Sequence, residues 1–153
     1  LCICELERLV KPGARLLDMG CGSGILSVAA HMLGAEDVTA VDIDPNAVRI
    51  AAENAEKNGF ALHTGVGDVI GDAELSARIG GEYDIIVANI VADVIMGMQD
   101  ILKSKLKREG TLIVSGIIAP RADEVQASLL GAGFVLDRRD QSGDWVAMTL
   151  HQA

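Results

Sequence analysis

The residues best placed to do chemistry begin at Asp18-Met19-Gly20-Cys21-Gly22-Ser23-Gly24, where a carboxylate precedes three alternating glycines. Glycine lets a chain turn sharply and lets the backbone approach a bound molecule closely. A loop of this kind between a strand and a helix is built for a nucleotide-like ligand. The spacing argues against a dinucleotide. That fingerprint reads Gly-x-Gly-x-x-Gly, whereas here the third glycine comes one residue early and Ile25 takes its place. The leading carboxylate, Asp18, would also repel a pyrophosphate lodged at a helix N-terminus.

A cationic or zwitterionic ligand suffers no such repulsion. S-adenosylmethionine carries a sulfonium, an ammonium and no phosphate, so Asp18, Gly20, Cys21, Gly22 and Gly24 are its expected contacts. Asp42 lies farther along, after a second aliphatic run, at the distance where a carboxylate accepts from ribose hydroxyls. Ile43 beside it offers a face for adenine. Asp44 competes for the ribose, but its place ahead of Pro45 suits a helix cap better. Gly67-Asp68 follows the third aliphatic run. Asp68 is read either as a partner of the adenine amino group or as a turn aspartate.

These groups need strands that end together, and the chain supplies them. Helical spacing is expected over residues 2–10, with Cys2, Leu6, Leu9 and Val10 on one face. Strands are expected at Arg15–Met19, Val38–Asp42, Leu62–Gly65, Tyr83–Asn89 and Thr111–Ser115. The helices between them run from Ile25 to Gly34, from Pro45 to Asn58-Gly59, near 72–79, and as one long helix over 91–107. Pro120 opens a further helix carrying Ala122, Val125, Leu129 and Ala132. Phe134–Asp140 and Trp145–Leu150 are joined by Gln141-Ser142-Gly143-Asp144, too short a link for a parallel crossover, so they form an antiparallel hairpin. The reading is a doubly wound, mostly parallel α/β sheet with ligands at the carboxyl ends of its first strands.

Loop, leading acid, second acid and closing hairpin together resemble the seven-stranded Rossmann-like methyltransferases that use S-adenosylmethionine. That resemblance implies strand order 3-2-1-4-5-7-6 with the seventh strand antiparallel. It also implies that Asn89, at the end of the fourth strand, faces the transferred methyl. Enzymes of that fold acting on DNA bases place Asp/Asn-Pro-Pro-Tyr there, with the ring stacked on a flipped base. Here the segment reads Val87-Ala88-Asn89-Ile90-Val91-Ala92, without prolines or an aromatic. The asparagine oxygen remains available to an amine, and an aliphatic amine fits better than a base.

In detail the chain is similar to the ribosomal protein L-eleven methyltransferase family. Leu1-Cys2-Ile3, Leu17 through Leu26, Leu33-Gly34-Ala35 and Val41-Asp42-Ile43-Asp44-Pro45 carry the likeness. More specific are Ala88-Asn89-Ile90-Val91-Ala92, Ser115-Gly116-Ile117 and Trp145-Val146-Ala147. The resemblance implies methyl transfer to lysine or α-amino groups of a basic ribosomal protein. Gly20, Asp42 and Asn89 carry over as cofactor contacts, and Asn89 is also the catalytic candidate. It implies one catalytic domain over residues 1–153. The family's N-terminal substrate-gripping domain, and a threonine just upstream of Leu-Cys that covers the cofactor, lie outside a chain that begins at Leu1.

Bulk properties agree. The chain has 153 residues, half of them hydrophobic, 3% aromatic, with 17 glycines, a size for one domain with buried parallel strands. A net charge of −9 offers no basic face for nucleic acid phosphates. It suits a small molecule or a basic protein, and equally keeps the chain soluble. No apolar run approaches the roughly 20 residues of a membrane span. Three cysteines and three scattered histidines give neither a disulfide framework nor a metal site, favouring a cytoplasmic protein without metal. Glu5, Glu7 and Asp93 are expected to be solvated helix residues, and no general base stands out. Alternatives are a different protein-amine or small-molecule acceptor, and a binding module that holds cofactor without transfer.

Overall fold

The computed structural model describes residues 1–153. Helix α1 (Cys2–Leu9) leads into strand β1 (Arg15–Met19), helix α2 (Ile25–Met32) and strand β2 (Asp37–Asp42). Helix α3 (Pro45–Lys57), strand β3 (His63–Val66), helix α4 (Ala73–Ile79) and strand β4 (Tyr83–Asn89) follow. Two short helices, α5 (Ala92–Gly97) and α6 (Gln99–Lys105), lead to strand β5 (Leu106–Ile118). A 3-10 turn (Ala119–Arg121) and helix α7 (Ala122–Gly131) precede strands β6 (Phe134–Ser142) and β7 (Trp145–Gln152).

All seven strands share one sheet in the order β3-β2-β1-β4-β5-β7-β6. The first five pair in parallel, and β7 runs antiparallel between β5 and β6. This is the Rossmann-like, doubly wound sheet closed by an antiparallel hairpin that the sequence leads one to expect. Chain order reverses between β1 and β4, so a crevice opens at their carboxyl ends.

Strand alternation sorts the aliphatic runs onto two faces. Leu17, Met19, Ile86, Ala88, Leu112 and Val114 join the larger apolar cluster with Ile95, Leu102 and Leu129 from the helices on that side. Leu16, Val38, Ile85, Val87 and Ile113 face the other way, against Leu6, Leu26 and Ala30 of α1 and α2. Burial on both faces is why the central strands read as unbroken aliphatic runs. Helix α3 starts as expected: Asp44 Oδ1 accepts from the Asn46 amide at 2.9 Å, with Pro45 in the first turn. A cap of this kind is worth about 1 kcal/mol.

Three expectations need correction. The long helix over 91–107 is two helices broken at Gly97-Met98, where Met98 ends one and begins the next with φ −112°. Glycine's poor helix propensity makes it the weak point. Strand β5 is longer than Thr111–Ser115. Tyr83 pairs with Leu106 and Ile85 with Thr111, so residues 107–110 bulge out against Asp84 alone, and their polar side chains carry no strand pattern. Glu5 is 4% exposed rather than solvated. Its Oε2 accepts from Arg8 at 2.8 Å and from Thr149 Oγ1 at 2.9 Å, tying α1 to β7. A buried carboxylate is tolerable because those donors satisfy it.

Candidate active site

The loops that follow β1 to β4 enclose a cavity of about 560 Å³. Gly20 comes from the loop after β1, Asp42 and Ile43 from the end of β2, and Gly67 to Ile70 from the turn after β3. Ile90, Val91, Asp93 and Val94 close the fourth side. Of the residues singled out from sequence, Gly20, Asp42, Ile43 and Asp68 therefore share one wall. Ile43 and Ile70 are 67% and 51% exposed, two large aliphatic side chains held at the lip of the cavity.

The glycine loop is held by its own backbone. The Gly20 and Cys21 amides both donate to the Val41 carbonyl, at 2.8 and 3.0 Å, and the Gly24 amide donates to the Cys21 carbonyl at 2.9 Å. The Gly22 amide donates to Asp42 Oδ2 at 2.9 Å. Four loop donors that a pyrophosphate would want are thus already engaged within the protein. Asp42 Oδ1 accepts from the Asp44 amide at 3.1 Å. Each carboxylate oxygen still has a second lone pair, so Asp42 is oriented by backbone and free to accept from hydroxyls. Three carboxylates (Asp42, Asp68 and Asp93) and no lysine or arginine line the cavity, which favours a cationic ligand.

Asp18, Cys21, Gly22 and Gly24 stand behind this wall rather than on it. Met19 faces the cavity, so strand alternation turns Asp18 towards α2. There it is 1% exposed, and its Oδ2 accepts from Ser27 Oγ at 2.7 Å. Gly24, at φ +83°, caps α2 at a point where a Cβ would lie 2.8 Å from that of Ala51. It lets α2 and α3 pack closely. Burial pushes the Cys21 thiol up to about 12, helped by the charges of Asp18 and Asp42, so it is no nucleophile at neutral pH. Asp68 combines two roles. It lies on the wall, and its Oδ1 accepts from the Ile70 amide at 3.0 Å.

Burial raises Asp18 to about 6 against the pull of its bonds to Ser27, with Asp42 adding to the rise. A folded-state value above the unfolded one gives a contribution present below pH 4 and lost as pH rises through about 6. A rise of about two units corresponds to about 3 kcal/mol. Replacing Asp18 by Asn removes that loss. Denaturant titrations are expected to show Asp18→Asn gaining about 3 kcal/mol relative to wild type between pH 4 and pH 8. Parallel pH curves for the two proteins would show that Asp18 does not titrate in this window.

Asn89 lies next door, in a cleft of about 390 Å³ shared with Leu1, Ser115, Gly116, Ser142 and Trp145. Its neighbour Ile90 lines the first cavity, so the end of β4 forms the partition between the two. No charged side chain lines the cleft. Trp145, 53% exposed, was not among the sequence-based site residues, and its signal is an aromatic opening a hairpin strand in a chain with few aromatics. Asp93 is a solvated helix residue as expected, with one feature beyond that. It lines the cavity while paired with Arg121 at 2.7 Å, which holds its carboxyl below the usual range.

Comparison with known proteins places this geometry. The family described as ribosomal protein L11 methyltransferase (PrmA) matches residues 1–153. The protein named ribosomal protein L11 methyltransferase from Pelotomaculum thermopropionicum is 46% identical over 97% of this chain and 47% of its own length. The one from Acetivibrio thermocellus is 43% identical over 98% of this chain and 46% of its own length. The chain thus spans about half the length of the curated relatives it matches. The crystal structure of ribosomal protein L11 methylase from Lactobacillus delbrueckii subsp. bulgaricus superposes with a TM-score of 0.89 at 33% identity, covering 99% of this chain and 76% of that one. The chain belongs to the ribosomal protein L11 methyltransferase (PrmA) family.

Proposed function

We propose that this chain binds S-adenosylmethionine and transfers its methyl to amino groups, lysine side chains or an α-amine, of the large-subunit ribosomal protein L11. The observation that carries the reading is the pairing of two unlike cavities across Asn89-Ile90: one walled by three carboxylates, the other lined by polar and apolar side chains with no carboxylate, lysine or arginine. The first fits the cofactor. Asp42 accepts from the ribose hydroxyls, Ile43 and Ile70 flank the adenine, Asp68 accepts from its amino group, and the Gly20 turn leaves room for the rest. When bound, the cofactor supplies an electrophilic methyl on a sulfonium.

The protein's part is orientation and exclusion of water. The acceptor amine enters this cleft and donates a hydrogen bond to Asn89 Oδ1, which aims its lone pair past the end of β4 towards the methyl. An arriving ammonium must release its proton to solvent before attack, and a cleft lined by no carboxylate side chain gives the ammonium form no ion-pair partner. Asp18, Cys21, Gly22 and Gly24 act through the shape of the loop. The same reading puts the protein in the cytoplasm. No helix is long and apolar enough to cross a membrane, and Cys2, Cys4 and Cys21 are unpaired.

Intact-mass measurement after incubating the full-length protein with cofactor and purified ribosomal proteins tests this. Methyl additions confined to L11 are expected. Additions on another protein would move the acceptor, and cofactor binding with no addition anywhere would favour a binding module.

A further inference from the structure

The Asn89-Ile90 partition runs between two glycines contributed by neighbouring strand ends. On the cofactor side stands Gly20, at φ +75°, where a Cβ would run into Ile90 Cγ2. On the cleft side stands Gly116, at φ +78°, where a Cβ would lie 3.0 Å from Asn89 Oδ1, 3.1 Å from the Ile90 carbonyl oxygen and 3.3 Å from its amide nitrogen. Gly116 sits in a β-bulge. Val114 pairs with Met148 and Ile117 with Val146, so Ser115 and Gly116 together oppose Ala147 alone. A bulge re-aims what lies beside it, and a glycine in the left-handed region is the residue it requires. Here the neighbour is the end of β4: Ser115 pairs with Asn89, and its carbonyl accepts from the Ile90 amide at 3.2 Å.

We propose that Gly116 is a positioning residue for methyl transfer, and that its bulge and missing side chain set the direction of the Asn89 carboxamide. This rests on the reading of Asn89 as the acceptor of the amine's hydrogen bond. Gly116 acts through Asn89. Any side chain there presses on the one oxygen that aims the amine, and misaim of an ångström or less is enough to slow transfer.

Gly59 supplies the control. It too is left-handed, at φ +80°, but a Cβ there meets nothing within 4 Å. In the full-length protein, Gly116→Ala and Gly59→Ala both strain the backbone and both lower the melting temperature. Only Gly116→Ala is expected to lower kcat, by about tenfold or more, with cofactor Kd changed less than about threefold. Gly116→Asn serves if the alanine variant is too unstable, because asparagine tolerates the left-handed region while still presenting a Cβ. Added to Asn89→Ala, Gly116→Ala costs much less than it does alone, since the oxygen it presses on is gone and only the contacts to the Ile90 backbone remain. Equal kcat in the two glycine variants, or losses that multiply in the Asn89→Ala background, would overturn the proposal.

A second readout does not need turnover. The side-chain amide resonances of Asn89, identified by their loss in Asn89→Ala, shift in Gly116→Ala and stay in place in Gly59→Ala. Should the wild-type protein methylate no protein amine, the acceptor reading fails by itself. The amide resonances then decide for Gly116, and their constancy refutes it.

Discussion

Asp42→Ala is expected to weaken cofactor binding about 100-fold or more while lowering stability by about 1 kcal/mol at most. The carboxylate of Asp42 joins two functions in one group. Its oxygens hold the Gly22 and Asp44 amides at 2.9 and 3.1 Å, and their remaining lone pairs face the cavity. Hydrogen bonds to a charged group are worth about 1.5–3 kcal/mol each, and two to a ribose account for the loss. The freed amides lie near the surface, where water satisfies them, so the fold loses little. Asp44→Ala is the counterpart. Its side chain caps α3 through Asn46, so it costs about 1 kcal/mol of stability and leaves affinity intact. Calorimetric titration separates the two. Unchanged affinity in Asp42→Ala, or a loss in Asp44→Ala instead, would move the ribose to another residue.

Asn89→Ala is expected to lower kcat about 100-fold with cofactor Kd within a few-fold of wild type. Asn89 lines the cleft beside Trp145 and not the cavity that holds Asp42, so under the proposed function its effect belongs to the aim of the amine. Asn89→Asp sharpens the point. It keeps an acceptor oxygen at the same place but adds a charge that stabilises the ammonium form, so transfer falls although the hydrogen bond is retained. Single-turnover kinetics with cofactor titrations provide the measurement. Parallel loss of binding and transfer in Asn89→Ala would make the residue a cofactor contact in the main.

The local grammar of the chain explains which features were legible. Aliphatic runs such as Ile85-Ile86-Val87 mark strands buried on both faces, and Asp44-Pro45 marks a helix start because cap chemistry is local. The place of Asp42 on the cavity wall was legible for the same reason, as the last residue of a strand whose carboxyl end opens on the crevice. What escaped is set by tertiary contact. Glu5 has the spacing of a solvated helix residue, and its burial depends on Thr149 on the last strand. Asp18 faces α2 and not the cavity because the pleat turns Met19 the other way, a parity that a loop motif does not encode. The break at Gly97-Met98 and the bulge at 107–110 are choices between near-equal local options made by packing. Ile70 and Trp145 become site residues only when the sheet brings distant strand ends together.

The bond between Glu5 and Thr149 also bears on how the molecule comes to be made. A buried carboxylate needs its donors: Arg8, on the same helix, is at hand from the start, whereas Thr149 arrives only with β7. Contacts of such long sequence separation form late. During synthesis, which proceeds at roughly 5–20 residues per second, α1 is made more than a hundred residues ahead of β7, so this bond is among the last that can close. The cleft that Trp145 shares with Asn89 and Ser115 likewise takes its full shape only once β7 is made.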